Sequence, residues 1–252
     1  MTMKIELIGF DFAINCNHKL DIFKEVVNNS NADLILFPGH TLRDEEDLNY
    51  LSMHLENGKP IVIFELEEAD PTGCMHTNNE LYIYKNGVFE DMYTSQIFAT
   101  ADDINGNDVL MGKFFDELPR RTITCCGKRI TILQCGETAL LASHKKDNYK
   151  SRFRFRDNET LHQRYLDMLA STDIFLNPIH DLQGEQGIMK QRRIALSGDN
   201  RYYMSTSALN REMLGNFKSK RLQYILHNEE DIDIKPYINE DMGYVIRTIY
   251  ID

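Results

Sequence analysis

The segment "ITILQCGE", Ile130 to Glu137, is a short apolar run that meets a cysteine, a glycine and an acid in succession. Its first half reads as a buried strand. Its second half reads as a sharp turn that holds the Cys135 sulfur at the strand's C-terminal mouth, where pockets of α/β folds form. From spacing alone, such a cysteine is either a small apolar filler or a nucleophile.

The rhythm continues on both sides of this segment. Runs at 4–10, 33–37 and 60–66 are strand-like, while Leu20, Phe23 and Val27, and then Leu48, Leu51 and Leu55, recur at helical spacing. Between 81 and 93, "LYIYKNGVFEDMY" is a hairpin whose Asn86-Gly87 supplies the tight turn. Further strands are expected at 121–125, 129–135, 173–177, 202–207, 221–227 and 244–251, with helices at about 159–170 and 187–200. The pattern predicts an α/β chain of layered sheets flanked by helices. Without an internal repeat or a linker rich in Pro, Gly or Ser, residues 1–252 read as one domain.

Composition narrows the function. The 28 basic and 39 acidic residues give a net charge of −11, which argues against nucleic acid or an anionic membrane as partner. The five cysteines, Cys16, Cys74, Cys125, Cys126 and Cys135, show no CxxC spacing, and no His or Cys pairs stand at structural-zinc intervals. Neither a metal nor a cofactor is expected, and a reducing cytoplasm fits the cysteine usage. The N-terminal apolar run is broken by Glu6 and Asp11, too short and too charged for a signal peptide, and no later run reaches membrane-span length.

Six segments then occur in an order that resembles the nitrilase superfamily, the carbon–nitrogen hydrolases. They are "ADLILFPGHTL" (32–42), "NNELYIYKNGVFEDMYTSQIF" (78–98), "GKRITILQCGE" (127–137), "STDIFLNPIHD" (171–181), "RRIALSGDNRYYMSTSA" (192–208) and "YVIRTIYID" (244–252). The resemblance covers nearly the whole chain. It implies a four-layer α-β-β-α sandwich, a homodimer, and a pocket for a small amide or carboxylate ligand.

The resembled family works with a glutamate base, a lysine that stabilises the oxyanion, and a cysteine that forms a thioester with an amide or nitrile. Carried over residue by residue, the cysteine position is Cys135, but the glutamate position holds Gly39 and the lysine position Ser95. A positioned base is worth roughly 10²–10⁴ in rate, and one oxyanion donor on the order of 10²–10³. Losing both predicts a sluggish thiol and an impaired, ligand- or partner-binding homologue. The alternative is an active thiol amidohydrolase or acyl transferase with a non-standard base. His40, next to Gly39, is one candidate base, although adjacent residues of an extended segment point opposite ways. Gly39, Ser95, Glu137 and His180 are expected to line the pocket, with His180-Asp181 in a loop at a strand mouth.

Between 143 and 159, "SHKKDNYKSRFRFRDNE" is a basic, aromatic insertion in an acidic chain. Its leading reading is a solvated surface excursion. If it binds anything, Arg152, Arg154 and Arg156 would take an anion on one face while Tyr149, Phe153 and Phe155 lie on the other.

Overall fold

The computed structural model describes residues 2–11, 18–68, 78–143, 150–180, 187–209 and 221–252. Cys16, Cys74, Lys145, Lys146, Tyr149 and Asp181 lie outside the described residues.

The first half of the chain forms β1 (Met3–Asp11), α1 (Lys19–Asn29), β2 (Leu34–Leu36), α2 (Glu45–His54), β3 (Ile61–Glu68), β4 (Asn78–Lys85) and β5 (Val88–Ser95). Strands β1, β2 and β3 pair in parallel, and β4 and β5 extend the sheet as an antiparallel hairpin. Asn86 (φ 53°) and Gly87 (φ 80°) make its turn, as the dipeptide predicts.

The second half forms α3 (Asp108–Glu117), β6 (Thr122–Cys125), β7 (Lys128–Ile132), β8 (Leu141–Ser143), β9 (Ser151–Phe153), α4 (Glu159–Ala170), β10 (Ile174–Ile179), α5 (Ile188–Ser197), β11 (Tyr202–Leu209), β12 (Gln223–His227), β13 (Glu230–Asp231), β14 (Tyr237–Asn239) and β15 (Tyr244–Ile251). Strands β7, β10 and β11 pair in parallel, with β6 and β12 antiparallel at either side. Strand β15 returns to the first half and runs antiparallel to β1 from Met3↔Ile251 to Phe10↔Tyr244. The two halves of the sheet join where β1 meets β11, at Phe10↔Ala208 and Asp11↔Leu209.

The two-residue period of each strand then builds three apolar layers. Ile5, Leu7, Leu34, Leu36 and Ile63 of the first half pack in one cluster with Ile130, Ile132, Ile174, Leu176, Met204 and Ile225 of the second. The alternate residues Ile8, Phe10, Ile35, Phe37, Val62 and Phe64 face the opposite way, onto Phe23 and Val27 of α1 and Leu51 of α2. Phe175, Tyr203, Tyr224 and Leu226 likewise pack on Phe114 of α3, Tyr165 of α4 and Leu196 of α5. Helix, sheet, sheet, helix is therefore the order of layers. Among the described residues, no helix is long and apolar enough to cross a membrane.

Two expectations need correction. Strand β7 ends at Ile132, not at Cys135, because the Gln134 amide turns to the Glu137 carboxylate (2.8 Å) and Cys135 opens a 3₁₀ helix, Cys135–Leu140. The insertion is not a solvated excursion over its described part: Ser151–Phe153 pairs with Leu141–Ser143, and Phe153 and Phe155 are buried. Phe153 stacks on Tyr165 with ring centroids 4.6 Å apart. Burying a phenyl ring is worth about 1.5–3 kcal/mol, so the rings turn inward and leave Arg152 and Arg156 exposed, with Arg154 half-buried between them.

Candidate active site

Four chain segments deliver side chains to one point at the C-terminal ends of parallel strands. Gly39 follows β2, Glu65 stands late in β3, Cys135 follows β7, and His180 directly follows β10. Glu65 continues the parity of Ile63, so it faces the second half of the sheet, and it is fully buried there.

His180 is the hub. Its Nε2 lies 2.6 Å from Glu65 Oε2, and the Cys135 side chain stands beside its ring, close enough to raise its pKa. The other Glu65 oxygen accepts from Gln134 Nε2 at 3.0 Å, which fixes the carboxylate. A Cβ placed on Gly39 would come 2.0 Å from His180 Cδ2 and 2.9 Å from Glu65 Oε2. The imidazole therefore fills the space that any larger residue at position 39 would claim. Cys135, His180 and Glu65 thus bring together a thiol, an imidazole and a carboxylate, the groups from which activated nucleophiles are built.

The two imidazoles of the site are driven apart electrostatically. Burial pulls His180 down, but the Glu65 charge, the hydrogen bond to Glu65 and the neighbouring Cys135 side chain outweigh it and raise its pKa to about 10. His40 stacks on it, ring centroids 3.7 Å apart, and is pushed below the ordinary histidine value by burial and by His180. At neutral pH one ring is thus imidazolium and its neighbour is neutral, the division that assigns acid and base roles. His40 occupies the left-handed region (φ 56°), and its Nε2 meets Asn79 Oδ1 at 2.6 Å.

Behind the sulfur, the turn is held from below. Asn177 Nδ2 donates to the carbonyls of Leu133 and Cys135, and Tyr203 Oη donates to Asn177 Oδ1 at 2.7 Å. A Cβ on Gly136 would overlap the Ala99 carbonyl, so the nucleophile turn and the segment after the hairpin touch backbone to backbone. Glu137 accepts from Ile97 N and Gln134 N at 2.8 Å each and pairs with Arg121 at 2.5 Å, both side chains wholly buried. Burial drives the Glu137 carboxyl upward against these partners.

The residues expected from sequence are distributed as follows. Gly39, Cys135 and His180 meet directly. Ser95 ends β5 and is joined to the Cys135 turn through Arg121, whose guanidinium binds the Ser95 carbonyl, Thr94 Oγ1 and Glu137. Arg121 is wholly buried, and Nε, Nη1 and Nη2 each bond one of these partners. Glu137 lies behind the turn, with both carboxylate oxygens turned to protein partners. Arg154 reaches back to the Ala139 carbonyl at 2.6 Å, while Arg152 and Arg156 are exposed. Glu65 escaped sequence reading, although an acid at a core-facing position of the run "IVIFELEE" is a signal that was available. His40, Glu65 and His180 also offer ligand atoms within 4.8 Å of one another. The two rings are nearly parallel (18°), so their in-plane lone pairs run side by side instead of meeting at one point.

No protein-family model matches the chain, and neither does any curated protein sequence. Among solved structures, a CN-hydrolase superfamily protein from Xanthomonas campestris, crystallised with an arsenic adduct in its active site, superposes with a TM-score of 0.54 at 12% identity. The match covers 100% of this chain and 91% of that one. This chain has the carbon–nitrogen hydrolase fold. The same fold appears in a mutant of an amidase from Nesterenkonia sp. AN1, which shows acrylamide added to its active-site cysteine (TM-score 0.53, 10% identity, 97% of this chain and 92% of that one). It also appears in the glutamine-dependent NAD+ synthetase of Acinetobacter baumannii, of which it makes up 46% (TM-score 0.53, 14% identity, 100% of this chain).

Proposed function

We propose that this protein is a thiol hydrolase or acyl transferase acting on the carbon–nitrogen bond of a small amide. Cys135 is the nucleophile, His180 the proton carrier, and Glu65 the group that orients His180. The observation that carries the reading is the single imidazole that pairs with Glu65 and stands beside the Cys135 side chain, in the space left by Gly39. The fold shared with an amidase that has an active-site cysteine supports it.

In this scheme the Cys135 sulfur bonds to the amide carbonyl carbon, and the proton held on His180 passes to the leaving nitrogen as the C–N bond breaks. A thioester remains. Neutral His180 then takes a proton from water, whose oxygen attacks the thioester carbon and expels the thiolate; an amine or hydroxyl in place of water gives acyl transfer. The competing reading, a homologue that binds without turnover, rests on Ser95, which brings no charge to the oxyanion. Incubation with a small amide, followed by mass spectrometry of the Cys135 peptide, separates the two. The expected result is an acyl adduct on Cys135 that is absent from Cys135→Ser; an unmodified peptide together with unchanged amide would leave only the binding reading.

A further inference from the structure

Among the described residues, two half-buried arginines stand beside the site with no acidic partner at ion-pair distance. Arg154, just after β9, donates through Nε to the Ala139 carbonyl at 2.6 Å, and Arg192 on α5 donates through Nε to the Leu141 carbonyl at 3.1 Å. Both guanidiniums are thereby fixed over the segment that immediately follows Cys135. They are close enough to oppose each other: burial first, and then the Arg154 charge, lower Arg192 to about 10. Burial also lowers Arg154, against the pull of Asp102, which lies outside ion-pair distance. On the other side, Tyr203 Oη donates to Asn177, which in turn holds the Cys135 carbonyl.

The contrast with four other buried or half-buried arginines is what makes the pair informative. Arg121 pairs with Glu137, Arg201 with Asp199, Arg221 with Asp231 and Arg247 with Asp233. In a chain with 39 acidic residues against 28 basic ones, acids are not scarce. Among the described residues, Arg154 and Arg192 spend only their Nε hydrogens on backbone oxygens, and Arg192 adds a weak contact from Nη1 to Met189 Sδ at 3.6 Å. Among the described residues these two desolvated like charges have no counter-ion, and an anion binding between them offsets the cost of their burial. The planar guanidinium fork suits a carboxylate.

We propose that Arg154 and Arg192 form the subsite for a carboxylate on the substrate, so that the amide attacked by Cys135 belongs to a small molecule bearing an acid at its other end. This inference rests on Cys135 being the working thiol. The test compares alkylation of Cys135 by iodoacetate and by iodoacetamide, which differ in the carboxylate, with the Cys135 peptide read by mass spectrometry. The ratio of the two rates divides out any change in the thiol itself. It is expected to exceed that of free glutathione on the order of tenfold, to fall toward glutathione's in Arg154→Gln and in Arg192→Gln, and to stay partly raised in Arg192→Lys. A wild-type ratio equal to glutathione's, or one unchanged in all three variants, would overturn the subsite and leave the thiol reading standing. Inertness of Cys135 to both reagents would overturn the thiol reading and this proposal with it.

Discussion

Replacing His180 by glutamine slows the acylation of Cys135 on the order of 10²–10⁴-fold, the worth of a positioned proton-transfer group. Glutamine approximates the size of the ring and still offers a hydrogen bond to Glu65, so the packing around Gly39 is retained while the titratable nitrogen is lost. The rate is read as the burst of p-nitrophenolate from p-nitrophenyl acetate, with Cys135→Ser as the blank. A rate close to that of the wild type would move proton transfer to another group. The same variant has a signature in stability. Because the folded state raises His180 from 6.5 to about 10, its contribution is fully present below pH 6.5 and is lost as pH rises through about 10. The wild-type stability should therefore decline across that window, by an amount on the order of a few kcal/mol, and the decline should flatten in His180→Gln.

Arg121→Met is expected to cost about 3–5 kcal/mol of stability, because it leaves the Glu137 carboxylate buried without its counter-charge. Arg121 and Glu137 are both completely buried, and together they tie Thr94, Ser95, Ile97 and Gln134 to the turn that carries Cys135. Removing the cation alone is therefore worse than removing both charges. Arg121→Met combined with Glu137→Leu should recover part of the loss, since replacing a buried pair by apolar groups is often neutral. Urea unfolding of the two variants gives the comparison. A loss below about 1 kcal/mol in the single variant, the range of exposed pairs, would mean that the pair does not hold the turn.

The fold was legible in the sequence because its strands carry strict periodicity. "ITILQC" and "DIFLN" become adjacent strands, Ile130↔Ile174 to Ile132↔Leu176, since both are apolar on two faces and so belong inside a sheet that is covered on both sides. Helix α3 was missed; its buried Met111, Phe114 and Phe115 keep helical spacing, but they are preceded by the exposed Val109. Of the site, Cys135, Gly39, His40 and His180 were legible as positions, but the pairing of His180 with Glu65 was not. Gly39 and Ser95 read as losses because a sequence displays what has vanished from a motif. It does not display which distant side chain has entered the space. Glu65 is 115 residues from His180 along the chain, and the pairing of β1 to β2, of β2 to β3, of β1 to β11 and of β11 to β10 brings them within 2.6 Å. The alternation of Arg and Phe from 152 to 156 was read correctly as two faces, but which face turns inward depended on Tyr165, set by the packing of α4.

The coupling of Cys135 to His180 is tested most directly by the rate at which iodoacetamide alkylates Cys135 at about pH 6, measured on the wild type, on His180→Gln and on a free reference thiol. Reactivity follows the thiolate fraction, and in the proposed scheme His180 is the group that carries the proton. The wild type should be modified far faster than the reference, and His180→Gln should lose that advantage. Modification of wild-type Cys135 no faster than the reference thiol, or an equal rate in the variant, would contradict that coupling and return Cys135 to the role of a core filler.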